Sequence, residues 1–249
     1  MIKYIFMAAM RDKLVLSLFL LMILGACLAV FLGSAAIIEK DMFVIVFAAG
    51  ILRIASVLGI VLFVVFHVRR SFDSKDVDYL LSRPISRGAF VIAHIIAFTL
   101  MGIIAGALAG LALFALAPSE FSTGHALWLF SIMAELVMMA NVAFFFSMVL
   151  TSASSSALSC LAFYALARII GQILGIVEAK IGLSDFIVVD YLMRFIGMVI
   201  PRLDLMGQTS WLVYGIADNT DAIFIGLQTI FFTLLVASAA FFDLKRRQF

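Results

Sequence analysis

Charged side chains are scarce in this sequence: they make up 13% of its 249 residues, whereas 65% of the residues are hydrophobic. Soluble domains carry about a quarter charged residues, and a soluble chain of this composition would expose large apolar patches. The composition therefore excludes an ordinary soluble protein and predicts that the lipid bilayer is its solvent. The small net charge of +2 gives no indication of nucleic-acid binding.

Side chains that carry bond-making chemistry are also few. The two cysteines, Cys27 and Cys160, lie in apolar runs and are interpreted as small hydrophobic residues rather than a disulfide or a metal pair. The histidines at positions 67, 94 and 125 lack the spacing of metal ligands, and no phosphate-binding loop of the G-x-x-x-x-G-K-[ST] type occurs. The sequence thus predicts no catalytic, cofactor or metal site, and any nucleotide that supplies energy must bind another chain.

Six apolar runs are long enough to cross a bilayer, which takes about 20 helical residues. The predicted spans are residues 14–33, 43–68, 90–117, 126–150, 156–177 and 222–242. Residues 1–13 are amphipathic, which favours a helix lying in the membrane interface, with a plain basic flank of the first span as the alternative. We therefore predict an all-α integral membrane protein consisting of one transmembrane domain, residues 1–249.

Lysine and arginine are unevenly distributed between the two faces that these spans define. Both termini share one face, which receives about 11 basic residues against about four on the other, and the face richer in lysine and arginine is cytoplasmic. The sequence therefore predicts a multi-pass protein of the inner (plasma) membrane with both termini in the cytoplasm. The stretch Leu24-Gly25-Ala26-Cys27 resembles a lipoprotein cleavage box, but apolar residues continue through it, which favours a retained first span.

The segment between the fifth and sixth spans, residues 178–221, is long and only moderately polar. Within it, residues 186–200 form an apolar run that ends at Pro201. This run is too short for two crossings and too apolar for a free loop. We therefore predict an outer re-entrant helical segment, which membranes tolerate where protein buries it or a cavity hydrates it.

Three ionisable residues, Arg53, Glu135 and Arg168, fall inside predicted spans. At about 1.5 Å per helical residue, each lies roughly 14 Å below the outer end of its span. A lone charge at that depth costs about 3 kcal/mol or more, so we expect Glu135 to pair with one or both arginines. The cluster either lines a substrate path or fixes the helix register, and the sequence leaves both interpretations open.

Glycines recur at four-residue spacing in two of the predicted spans. Gly102, Gly106 and Gly110 lie on one face of the third span, and Gly171 and Gly175 lie on one face of the fifth. This spacing lets helix backbones approach closely. We expect packing within the chain rather than a contact between two chains.

A polar island, residues 69–89, separates the second and third spans. Asp73 or Ser74 can cap a short helix over residues 75–81, and Pro84 ends it because proline lacks an amide proton and disfavours helical geometry in the residue before it. The helix has one apolar face, formed by Val77, Leu80 and Leu81. Such a helix suits a groove on a soluble partner, with an unpartnered interfacial helix as the alternative.

The same island resembles a known family. Its stretch DVDYLLSRPISR, residues 76–87, has the leucine pair, the Ser-x-Pro and the Ser-Arg that typically follow the second span of type-2 ABC-transporter permeases. The six spans, the interfacial N-terminal helix and the outer helical segment with its proline turn are also similar to that family. The residues that the resemblance assigns to contact with an ATPase are Lys75, Asp76, Val77, Leu80, Leu81, Arg83, Pro84 and Arg87.

The resemblance implies one permease subunit of an ATP-driven exporter. Two permease chains, identical or different, would form the pathway among the membrane lipids, and a separate cytoplasmic ATPase would bind ATP and Mg²⁺. The helix after the second span would be the coupling helix seated in that ATPase. An ion-driven secondary transporter and a non-transporting scaffold are the alternatives. The former usually has inverted repeats, and we find no convincing repeat between the two halves.

Overall fold

The computed structural model describes residues 2–11, 13–34, 40–74, 87–116, 118, 122–178, 196–197, 199–216 and 220–246. Within these ranges the regular structure is helical and contains no β-strand, which confirms the predicted all-α class. The helices are α1 (Ile2–Arg11), α2 (Lys13–Ser34), α3 (Lys40–Asp73), α4 (Arg87–Leu116), α5 (Thr123–Val149), α6 (Ala153–Glu178), α7 (Ser210–Tyr214) and α8 (Thr220–Arg246), with a 3₁₀ turn at Leu203–Leu205.

Five of these helices, α3, α4, α5, α6 and α8, are long and apolar enough to cross a membrane. They coincide with the predicted spans two to six, although α3 begins before residue 43 and continues beyond residue 68. The helix α2 covers the predicted first span, and the continuous part of it whose side chains are described is the apolar stretch Met22–Ser34. The sixth crossing therefore stays a prediction.

The helix α5 is the centre of the bundle. It contacts α3, α4, α6, α7 and α8, and its residues Leu136, Met138, Met139 and Phe144 are completely buried. A helix that is hydrophobic on all sides is expected in such a position. The large exposed side chains of the described helices lie mainly on the outer faces of α2, α4 and α8, where a bilayer would cover them.

The glycines of α4 let this helix pack closely on α5. A Cβ atom at Gly102 would lie 2.8 Å from the Val137 amide nitrogen, and one at Gly106 would lie 2.8 Å from the Met133 Cα. Packing within the chain is thus confirmed for α4. In α6, Gly171 also packs within the chain, although against a segment outside the long helices, as shown below, and Gly175 has no neighbour within 4 Å among the described residues.

Gly102→Ala is expected to destabilise the bundle, because the added methyl group meets backbone atoms that cannot rotate away. Overpacking of this kind typically costs about 1–3 kcal/mol. Gly50→Ala is the matched control, since nothing among the described residues lies within 4 Å of its would-be Cβ. Thermal unfolding in detergent distinguishes the two variants. Equal stability of Gly102→Ala and Gly50→Ala would contradict the close packing of α4 on α5.

Candidate functional site: an intramembrane charge cluster

Glu135 lies on the buried side of α5 and has no exposed surface. Its Oε2 atom lies 3.8 Å from Nη1 of Arg168 on α6, and its Oε1 accepts a hydrogen bond of 2.7 Å from the Tyr164 hydroxyl. Tyr164 and Arg168 are four residues apart and therefore project from the same face of α6. The structure thus brings together two of the three ionisable residues that the sequence singles out, and removing either partner would leave a buried charge uncompensated.

The two arginines bind backbone carbonyl groups of one short segment, residues 201–207, which we call the outer turn after the side of the membrane predicted for it. Arg168 Nη1 donates to the carbonyl oxygens of Leu203 at 2.5 Å and Met206 at 2.8 Å. Arg53 Nη1, from α3, donates to the Gly207 carbonyl oxygen at 2.6 Å. The Leu203 carbonyl also accepts the Met206 amide at 3.0 Å, and the guanidinium groups supply donors to the Met206 and Gly207 carbonyls that follow the 3₁₀ turn.

A third helix also holds the outer turn. The Gly207 amide donates a 2.6 Å hydrogen bond to the Ser131 hydroxyl of α5. Gly207 has φ +58°, and a Cβ atom there would lie 3.0 Å from Arg53 Nη1, so both the backbone conformation and the space favour glycine. Side chains from α3, α5 and α6 therefore fix the position of one turn.

An ion pair within the outer turn packs against α6. Arg202 and Asp204 form a two-pronged interaction, with Nε–Oδ1 at 3.0 Å and Nη2–Oδ2 at 2.9 Å. A Cβ atom at Gly171 would collide with the Asp204 carboxylate. Gly171 is therefore small because the outer turn lies against it.

Sequence reasoning missed Ser131 and Tyr164, although both precede a predicted ionisable residue by four positions. Ser131 precedes Glu135, and Tyr164 precedes Arg168. Residues four apart share a helix face, so a search for polar side chains one turn from each buried charge would have found them.

The three histidines, considered above as possible metal ligands, make structural contacts with other described residues. His125 accepts a hydrogen bond from the Ser122 amide at the start of α5. The rings of His67 and His94 both contact that of Phe98, and His94 Nδ1 lies 2.9 Å from a backbone carbonyl of its own helix. No group of three possible metal ligands is found in the part of the chain that the structure describes.

The predicted coupling residues Lys75, Asp76, Val77, Leu80, Leu81, Arg83 and Pro84 lie outside the described residues, and Arg87 is the first residue of α4. Asp73 is the last residue of α3, where its carboxylate accepts a 3.0 Å hydrogen bond from Arg69. Arg69 Nη1 also donates to the Leu150 carbonyl at 3.0 Å. The helix that enters the polar island is thereby joined to the connection between α5 and α6.

The predicted re-entrant segment, residues 178–221, is described only in part. Its 3₁₀ turn contacts α6, and α7 contacts α3 and α5. The described part therefore packs on one end of the bundle, and its position relative to the membrane stays a prediction.

No model of a protein family matches this chain, and no curated protein is significantly similar to it. The functional argument therefore depends on the residues and their geometry.

Proposed function

We propose that this chain is the permease subunit of an ATP-driven exporter of the type-2 ABC class. It forms half of a membrane pathway and is coupled to a separate cytoplasmic ATPase through the polar island. The observation that carries the proposal is the continuity of α3, which runs for 34 residues without a break. At about 1.5 Å per residue it is about 50 Å long, and it joins the polar island to the arginine that binds the outer turn.

A rigid helix of this kind can transmit movement. The chain between α3 and α4 connects two helices that both pack on α5, so a force on this connection acts on the centre of the bundle. Arg69 and Arg53 are 16 positions apart on α3, which is about 24 Å along the helix. Closure of an ATPase dimer would shift the inner end of α3, and Arg53 would carry the shift to Gly207 of the outer turn.

The remaining parts of the proposal concern topology and partners. In the proposed topology of six spans, both termini and the polar island lie in the cytoplasm and the outer turn lies on the opposite side of the plasma membrane. A second permease chain completes the pathway, and the partner ATPase binds ATP and Mg²⁺. The amphipathic α1, which contacts α4, lies in the inner membrane interface under this arrangement.

Co-purification from mildly solubilised membranes tests the proposal. A tagged form of the full chain is expected to bring with it a soluble nucleotide-binding ATPase in stoichiometric amount. A folded, correctly inserted chain that purifies without any ATPase would contradict the proposal and favour a secondary transporter or a scaffold.

The proposed orientation predicts a pattern of cysteine labelling in intact cells. In a chain whose native cysteines are replaced by alanine, Lys180→Cys and Asp218→Cys are expected to react with a membrane-impermeant thiol reagent. Lys75→Cys is expected to react only after the cells are permeabilised, because basic residues accumulate on the cytoplasmic side. Labelling of position 75 but not of positions 180 and 218 in intact cells would reverse the orientation.

A further inference from the structure

The charge cluster carries an excess of positive charge. Arg53 and Arg168 contribute two positive charges and Glu135 one negative charge, whereas Arg202 and Asp204 offset each other. Among the described residues, the excess is offset by the carbonyl dipoles of the outer turn, whose oxygens lie 2.5 to 2.8 Å from the two guanidinium groups. Because charge interactions are strong in a medium of low dielectric constant, these guanidinium groups need acceptors whenever the outer turn moves away.

Anionic oxygens are better acceptors for these groups than carbonyls are. Guanidinium matches the geometry of carboxylate and phosphate and can bind two of their oxygens at once, whereas each carbonyl offers a single neutral oxygen. Arg53 Nε is buried and has no acceptor among the described residues, so this donor can bind a ligand without losing a bond. The Arg168 side chain is 22% exposed, which leaves the cluster accessible.

Among the described residues, an apolar groove opens beside the same turn. It has a volume of about 330 Å³ and lies between the segment 197–202 and one face of α8. Phe224, Leu227 and Phe231 line it with largely exposed side chains, and Gln228 is its polar group on α8. The groove ends at Arg202, one residue from the carbonyl of Leu203 that binds Arg168. The outer turn therefore lines the groove with Pro201 and Arg202 and binds the two arginines through its later residues.

We propose that the charge cluster and this groove form one binding site for an amphiphile with an anionic phosphate or carboxylate head group. The head-group oxygens replace the outer-turn carbonyls on Arg53 and Arg168, and the apolar chain lies in the groove against α8. The ligand comes from the lipid phase rather than from water. As the substrate class of the exporter, this assignment rests on the proposed function, whereas the binding itself requires no ATPase.

Lipid binding to the purified full-length chain in neutral detergent tests the site. The probes are phosphatidylglycerol and phosphatidylcholine with identical acyl chains, and the readout is the dissociation constant from native mass spectrometry. Phosphatidylglycerol is expected to bind about tenfold more tightly, because phosphatidylcholine has the same phosphodiester but adds a quaternary ammonium, whose positive charge is repelled by the two guanidinium groups. Equal affinity for the two lipids would overturn the proposal.

Substitution of arginines on α3 shows where phosphatidylglycerol binds. Arg53→Gln is expected to remove the preference for phosphatidylglycerol. Arg70→Gln, an exposed arginine at the other end of the same helix, is expected to keep it. A preference that survives both Arg53→Gln and Arg168→Gln would place lipid binding elsewhere and overturn the site.

Groove variants keep the test decisive even where an arginine variant does not fold. Leu227→Trp fills the groove and is expected to weaken phosphatidylglycerol binding about tenfold, comparable to the loss of about two buried methylene groups. Leu234→Trp is the control, because Leu227 and Leu234 are 64% and 63% exposed on the same helix and only Leu227 lines the groove. Equal binding by the two variants would contradict the role of the groove.

A soluble anion provides the last comparison. Inorganic phosphate is expected to compete poorly with phosphatidylglycerol, since it gains nothing from the groove. If inorganic phosphate competes as well as the lipid does, the assignment to an amphiphile is wrong. The absence of a head-group preference would leave the exporter proposal standing, and the absence of a partner ATPase would leave the lipid site standing, so the two failures are distinguishable.

Discussion

Leu80→Asp is expected to abolish export and stimulation of the partner ATPase while leaving expression and membrane insertion intact. Leu80 lies outside the described residues and is predicted on the apolar face of the short helix over residues 75–81. A carboxylate buried there without a partner costs about 3–5 kcal/mol, which corresponds to at least a 100-fold loss of affinity for the ATPase. Insertion is unaffected because the site is outside the hydrocarbon region.

Arg83→Gln is the control for this substitution. Arg83 is in the same polar island, but its long side chain can reach lipid phosphates, so its loss is expected to have a much smaller effect on docking. The measurements are the amount of ATPase that co-purifies with each variant and the rate of ATP hydrolysis. Full stoichiometry and normal turnover of the Leu80→Asp complex would show that the coupling assignment is wrong.

Glu135→Gln is expected to destabilise the chain by leaving Arg168 without its counter-charge in the centre of the bundle. Breaking a buried pair typically costs about 3–5 kcal/mol, although intramembrane values are often smaller. Glutamine keeps the shape and can still accept the Tyr164 hydrogen bond, so the variant isolates the charge. Unfolding in detergent, followed by temperature or denaturant, measures the loss.

A double-mutant cycle shows whether the loss comes from the pair. The double variant Glu135→Met/Arg168→Met is expected to lose less stability than the two single variants lose together, because neither charge remains unpaired. Recovery is expected to be partial, since Arg168 also binds the Leu203 and Met206 carbonyls. Coupling of Glu135 to Arg53 is expected to be weaker, because no ion pair within 4.0 Å joins them in the described residues. Additive effects of the Glu135 and Arg168 changes would exclude an energetically coupled pair.

Sequence reasoning was most successful where hydrophobicity alone determines the structure. The apolar runs predicted α3 to α6 and α8 because a membrane helix requires a long apolar segment. Depth counting along the predicted spans also placed Glu135 and Arg168 at a common level, and the structure brings them together. These inferences need only helix geometry and the cost of burying charge.

Contacts made by the backbone could not be predicted in the same way. Both arginines bind carbonyl oxygens of the outer turn, and every residue type has such an oxygen. For the same reason Gly171 was assigned to helix packing, although its neighbour is the Asp204 carboxylate. The residue types therefore do not indicate which backbone carbonyl will be the partner. Only the structure shows the path of residues 201–207.

Movement of the outer turn on ATP binding is the most direct measure of coupling along α3. Spin labels at Ser210, an exposed residue of α7, and at Ile223, a 66% exposed residue of α8, report the distance across this end of the bundle. In the complex of the wild-type chain with its ATPase, ATP is expected to shift the distance distribution between the two labels. The Leu80→Asp chain, which is expected not to bind the ATPase, is expected to show no shift when ATPase and ATP are added. Identical distributions with and without ATP in an actively hydrolysing wild-type complex would contradict transmission to the outer turn.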